Sequence, residues 1–440
     1  METLVAQREG VVKVDSAALD RLSTGPEWMA ERRREAWALY EDLPFPSVRS
    51  EEWRYTDVGQ KLTLEDLEMA TGAEGPLPAG LRDAMDQDRE SSGRITEVDG
   101  VVRTVELSPG LAEQGVVLMS LAEASAQGST LVQQLLATEA VPASDGKFEA
   151  LNAALWTDGV LLYVPKGVRL DQPVRLSRWV SRGGTAVISR ILIVAEPGSQ
   201  VSFVDEILSP NLEAQSFVHT AVEVFARQAA QVQYVSLQRM GPGGFYMASQ
   251  RTLAERDSTL DTLNVGLGAS VGRVDLNARL LGPGANSDML GLYFGDGDQH
   301  FDFNTSQDHV APNAHSDLLY KGALDGASRG VFRGIIRVHK GAQGTDAYQT
   351  NRNLLLSDQA VADSLPNLEI EADDVRCSHG ATIGQLDAEA LFYLMSRGLG
   401  REQAERLVVL GFLGEVLSRL PLGGVVEKVT RAIEGKLGYV

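Results

Sequence analysis

The stretch RCSHGAT, residues 376–382, holds the only cysteine of the chain, Cys377, two positions before His379, one of six histidines. If this segment is a β-strand, residues two apart project from the same face, so sulfur and imidazole stand side by side. Thiolate and neutral imidazole are ligands suited to iron or zinc. Two ligands do not complete a tetrahedral shell, so a metal here needs groups from elsewhere in the chain or from a second chain. A Cys–His nucleophile is another reading. It requires an activated thiolate, a base within reach and an oxyanion hole. Same-face neighbours on one strand lie about 7 Å apart, and no third residue is in view to orient the imidazole. Packing alone is the third reading, because free cysteine is among the most buried residue types. Residue types and spacing leave all three open.

Two other clusters carry chemistry-bearing side chains. GDGDQHFDF contributes Asp296, Asp298 and Asp302 with His300, at even spacings that on a strand share one face. Carboxylates presented in this way suit a lyase or hydrolase acting on acidic sugars, a cytoplasmic β-helix carbohydrate-active enzyme. Gly-Asp-Gly-Asp is also strong turn chemistry, which favours a solvated loop. In HVAPNAHSD, His309 and His315 are separated by Pro312 and Asn313, hence by a turn, and are weak metal candidates. No GxxxxGK[ST] phosphate loop is present: GKL at 435–437 lacks the hydroxyl and the upstream glycines, and GLGASVG at 266–272 does not match GxGxxG. Any nucleotide hydrolysis must come from a partner.

The elements that position these residues differ along the chain. Its 440 residues carry 40 basic and 60 acidic side chains, a formal charge of −20, which opposes non-specific binding to nucleic acid or anionic membrane. A single cysteine excludes an intrachain disulfide and any CxxC motif. METLVAQREG has no basic region followed by an apolar core, and no run approaches a membrane span, so a cytoplasmic protein is expected. In WMAERRREAWALYEDL, Trp28, Met29, Ala36, Trp37 and Tyr40 recur at helical spacing before Pro44 and Pro46, and TGAEGPLPAG at 71–80 reads as a loop. From about 95 to 385 the texture turns to short β-branched runs. Their turns resemble one another: AEPGSQV, ARQAAQV, AERDSTL, LGPGANS, LDGASRG and HKGAQGT. The small residues Ser199, Ala230, Ser258 and Ala285 recur at 31, 28 and 27, with Ala327 and Ala342 following at 42 and 15. These are multiples of roughly half a coil of a flattened solenoid with two strands per coil. A sandwich or barrel competes, but nearly 300 residues of strand texture is long for one sandwich. From Asp387, a plausible N-cap, the pattern returns to helix: Leu391, Leu394 and Met395 share a stripe ending at Gly398 and Gly400, and a second helix runs to Pro421.

Residues 366–398, PNLEIEADDVRCSHGATIGQLDAEALFYLMSRG, closely resemble the SufB/SufD family of iron–sulfur cluster assembly scaffolds. The resemblance extends through DHVAPNAHSDLLYKGALDG, FRGIIRV, GTDAYQTNRNLLLSDQA and FEALNAALWTDGVLLYVPKGV to EEWRYTD at 51–57, most of the chain. Within the family it resembles the D type, which carries Ser and Gly around the histidine, as Ser378 and Gly380 do here. The resemblance implies a mainly β fold: a right-handed parallel β-helix core, residues 95–385, between an N-terminal helical domain, 1–94, and a C-terminal one, 386–440. It implies a non-enzymatic scaffold with no catalytic residues. A SufB-like chain would pair at the β-helix edge, and a SufC-like ABC ATPase would dock on the C-terminal helices at Phe392, Tyr393, Arg397, Leu407 and Phe412. His379 is the implied ligand of a nascent cluster shared with SufB, and Cys377 a lesser one. No cofactor is implied to bind the isolated chain tightly, and homodimerisation of that chain stays open.

Overall fold

The turns build the molecule. In each of six successive corners a left-handed residue is followed by a small one: Gly198–Ser199, Ala229–Ala230, Asp257–Ser258, Gly284–Ala285, Asn313–Ala314 and Gly344–Thr345. The left-handed residues have φ of 71, 56, 55, 74, 56 and 73°, and each small residue after them is at most 1% exposed. The corner residue points into the stack, where only a short side chain fits. Its carbonyl accepts from the coil above: Gln231 N–H donates to Ser199 O, Thr259 to Ala230, Asn286 to Ser258 and His315 to Ala285, each at 2.9 Å. The expected repeat is therefore present. Ala327, half a coil out of phase, sits in the opposite rank of corners and donates to Gly297 O at 2.7 Å.

In the computed structural model, residues 12–72, 75–88, 90–422 and 424–438 are described. METLVAQREG, read above for an export signal, lies outside them. Among the described residues a parallel β-solenoid of eight coils runs from Asp158–Val164 to Val375–Gln385, each coil giving one strand to each of two sheets. The fold is mainly β, and the sandwich alternative falls. Adjacent coils pair in parallel register, so a residue and its ladder partner share a face.

The two ends differ. At the N-terminal end the sheets are closed by antiparallel strands, Val101–Leu107 on Gly93–Val98 and Val117–Ser120 on Asp158–Val164. At the C-terminal end, Val361–Ile370 and Val375–Gln385 are edge strands with no described strand beyond them.

Helices cover the outer faces. Glu27–Asp42, the expected helix, packs with Lys147–Leu155 over one sheet, burying Phe148, Leu151, Ile188 and Phe217 in one cluster. Arg33 fastens the pair by donating to Ala154 O at 2.7 Å and Trp156 O at 2.8 Å. Four helices, Pro109–Glu113, Leu121–Ala126, Thr130–Leu135 and Lys147–Leu155, interrupt the stretch read as β from residue 95. In the loop expected at 71–80, Ala79 already opens a helix, Ala79–Asp86.

Over the other sheet lie Arg401–Arg419 and a third helix, Val425–Lys436, beyond the expected stop at Pro421, while Ala388–Ser396 packs on Arg401–Arg419. Val409, Leu413, Val416, Val429 and Ile433 pack there against Val235, Leu263, Leu290 and Leu319. Asp387 caps as expected, accepting from Glu389 N–H at 2.9 Å. Among the described residues no helix is long and apolar enough to cross a membrane.

Candidate functional site

Among the described residues Val375–Gln385 is the last strand of its sheet and pairs with Thr345–Leu355 alone, placing Cys377 beside Ala347 and His379 beside Gln349. Ala347 and Gln349 are each 1% exposed and face the solenoid axis. Ala347 packs with Ile336 and Val338 of the opposite sheet, and Gln349 Nε2 reaches Asn367 O at 3.5 Å. Cys377 and His379 therefore terminate two interior columns. The expected strand and shared face are both present. Because no described coil follows, His379 is exposed and Cys377 half-buried. Around them the interior continues into solvent: Leu368, Ile370 and Ile383 are 37, 39 and 45% exposed, although their ladder partners Ile336, Val338 and Asn353 are buried.

The chemistry of the pair follows from this placement. Burial pushes the Cys377 thiol above its ordinary value, despite a backbone hydrogen bond with Ala347, so at neutral pH it is a protonated thiol. That weakens it both as nucleophile and as ligand. The His379 imidazole makes no hydrogen bond or ion pair with a described residue, and its nitrogens are free to coordinate. Among the described residues no group of three or more His, Cys, Asp or Glu could hold a metal. A cluster at this end thus needs donors from outside the described chain.

The other clusters resolve differently. Asp296–Gln299 is a turn and the strand begins only at His300, so Asp296, Asp298 and Asp302 do not share a face. Asp296 pairs with Lys436 at 2.8 Å, while Asp302 is buried against Arg273 and accepts from Thr56, both at 2.5 Å. These carboxylates cannot act together on a sugar. His309 points inward to Ser316 Oγ at 2.8 Å, whereas His315 opens the next strand, exposed. The turn keeps them apart. Sequence reading missed one buried set, Glu149, Ser249 and His219. Ser249 Oγ donates to Glu149 Oε1 at 2.6 Å and lies 3.0 Å from His219 Nε2. The carboxylate holds the serine rather than the histidine and the three are sealed under Phe148, so the set fastens a helix and is no triad.

The C-terminal helices present an apolar surface. Phe392, Tyr393, Met395 and Leu407 are 74, 57, 43 and 49% exposed, whereas Leu391 is buried. Arg397 lies 5.2 Å from the Tyr393 ring. Phe412 turns the other way, its ring 4.4 Å from Lys321 on the solenoid. A cleft of about 890 Å³ opens beneath Ala388–Ser396, lined by Leu391, Phe392, Met395 and Arg406 on the helical side.

Comparison with known proteins bears on all of this. Residues 178–412 match the family model "SUF system FeS cluster assembly, SufBD core domain", and residues 19–176 match "SufBD protein N-terminal region". The iron-sulfur cluster assembly protein SufD of Bacillus subtilis is 30% identical over 417 residues, 94% of each chain. Iron-sulfur cluster assembly SufBD family proteins of Staphylococcus haemolyticus and Staphylococcus epidermidis are 26% identical over 432 residues, 96% of this chain and 92% of theirs. The solenoid, its flanking helices and these matches over nearly the whole length agree: the chain belongs to the SufB/SufD family of the SUF iron–sulfur cluster assembly system and is most like SufD.

Proposed function

We propose that this chain is a non-enzymatic, SufD-type scaffold subunit that works in the cytoplasm as half of a pair. The open end of its solenoid meets a SufB-like chain, and a nascent iron–sulfur cluster, the cargo, grows between them. His379 supplies an imidazole to that cluster. Cys377 stands behind it as a lesser donor, because its thiol must first lose a proton. The remaining ligands come from the other chain. An ABC-type ATPase, SufC-like, docks on the exposed side of the C-terminal helices at Phe392, Tyr393, Arg397 and Leu407. Phe412, turned to the solenoid, supports that surface from beneath.

One observation carries the reading: the interior columns end in solvent on two strand edges that no described strand pairs, with His379 on the inner face. An edge strand presents unpaired N–H and C=O groups that a second sheet can satisfy. Apolar side chains at the open end gain by burial against a partner. A lone imidazole there has a use only if the partner completes the shell.

The test is His379→Ala in the complex purified with its co-expressed partners. Reconstitution under anaerobic conditions is expected to yield less iron and sulfide per complex while native mass stays unchanged. The D-type reading predicts a complex holding a SufB-like chain and ATPase subunits. Iron and sulfide equal to the parent complex would remove His379 from the ligand set.

A further inference from the structure

EEWRYTD, residues 51–57, takes no part in the pairing proposed above, yet it is fastened firmly to the solenoid. The Trp53 ring lies under the Arg273 guanidinium, 3.8 Å from centroid to Cζ, and Arg273 Nη1 donates to Glu52 O at 3.1 Å. Thr56 Oγ1 donates to Asp302 Oδ2 at 2.5 Å and stands 2.8 Å from His300 Nε2. Glu51 pairs with Arg333 at 3.1 Å. These contacts hold the backbone of the segment over a cleft of about 400 Å³, lined by Arg54, Tyr55, Lys61, Asp298, His300 and Arg329 among others.

The charges of that cleft are unusual for a chain of net charge −20. Neither Arg54 nor Lys61 makes an ion pair with a described residue. Arg329 gives Nε and Nη2 to Asp363, at 2.9 and 2.7 Å, and keeps Nη1 uncommitted. Two carboxylates stand at the rim and are set against the cations: Asp57, which caps Val58–Lys61 by accepting from Gln60 N–H at 3.4 Å and keeps its negative charge, is one of them. Asp298, exposed at the tip of its turn, is the other. Three cationic side chains thus line one concave site, and two of them have no ion-pair partner among the described residues. Guanidinium donors match the oxygens of a tetrahedral oxyanion, and a lysine adds a mobile point charge.

We propose that this cleft binds a phosphate group, with Arg54 and Lys61 as its principal ligands and Arg329 as the third. A bare phosphate fills only part of the volume, so the exposed Val48 and the Tyr55 ring are left to flank whatever the phosphate is attached to.

Titration of the full chain with inorganic phosphate and, separately, with AMP, followed by calorimetry, tests this. Saturable binding is expected with both, and tighter binding of AMP would assign a phosphomonoester rather than the free anion. Arg54→Ala is expected to weaken binding about tenfold, the loss of one charge-assisted hydrogen bond, and Arg54→Ala with Lys61→Ala to abolish it. Asp298→Asn should strengthen it about threefold by removing one of the opposing charges. His379→Ala should leave it unchanged, which separates this site from the cluster. Absence of saturable binding, or equal affinity in the parent and the double variant with unchanged thermal melting, would overturn the proposal.

Discussion

His219, His300 and His309 are buried, and burial, the largest influence on each, holds them at about 3, 3 and 4, far below the ordinary 6.5. In the unfolded chain each would take a proton near 6.5, whereas in the folded chain each refuses it until pH 3–4. Their contribution to stability is therefore full above pH 6.5 and is lost as pH falls from there towards 4. The buried carboxyls Glu97 and Asp261, raised to about 7 and about 6, act in the opposite sense over part of that range. A difference between variants isolates one ring. The stability gap between the parent chain and His219→Asn, measured by urea unfolding, should narrow by about 1.4 kcal/mol between pH 7.5 and 5.5. A gap that does not move would mean that His219 is protonated in the fold. At this scale the sequence was legible where geometry is local. The shared face of Cys377 and His379 follows from strand period alone. Nothing local joins Thr56 to His300, 244 positions away, and grouping Asp302 with Asp296 and Asp298 failed because the strand starts only at His300.

The solenoid was legible among the elements because its corner constraint recurs in six successive coils. A left-handed residue and then a small buried one leave a trace even where Ala229 or Asn313 replaces glycine. The helix Val425–Lys436 was legible too, since Val425, Val429 and Ile433 recur at helical spacing, but Pro421 was taken as an end rather than an interruption. Its attachment was not legible. Lys428 Nζ, buried, donates to Asp88 Oδ2 at 2.7 Å, Glu206 Oε2 at 2.6 Å and Ala84 O at 3.3 Å, so one lysine ties the C-terminal helix to the solenoid and to the N-terminal segment. Arg175 and Arg239 complete the network on the same carboxylates, at 2.9 and 2.6 Å. Removing one member of a buried ionic set leaves charge without a partner, at a cost of about 3 kcal/mol or more. Lys428→Met should lower stability by that amount in urea, with Lys428→Met, Glu206→Gln recovering part of it. A cost under about 1 kcal/mol would show that the two arginines alone neutralise the carboxylates.

The whole molecule is asymmetric: antiparallel strands close the solenoid at one end and nothing described closes it at the other. Under the proposed pairing, this asymmetry decides which end is used. A stacked solenoid gains burial and backbone hydrogen bonds by adding a coil, and a second chain of the same family can supply that coil. Ile383 provides the sharpest test, because it continues a buried interior column from Asn353 yet is 45% exposed in the lone chain. A carboxylate there remains in water while the chain is alone, so Ile383→Asp should leave its unfolding midpoint nearly unchanged. On pairing, the same carboxylate would have to leave water without a counter-charge, at a cost of several kcal/mol. A penalty of about 3 kcal/mol weakens association more than a hundredfold. Native mass measurement of the variant co-expressed with a SufB-like partner is therefore expected to find the two chains apart. The ATPase should stay bound to this chain, because its proposed surface, at Tyr393 and Leu407, lies on the helices rather than at the solenoid end. If Ile383→Asp pairs as the parent does, the partner sits elsewhere. His379 would then face solvent in the complex as well, and the reading of it as a shared ligand would fail along with the interface.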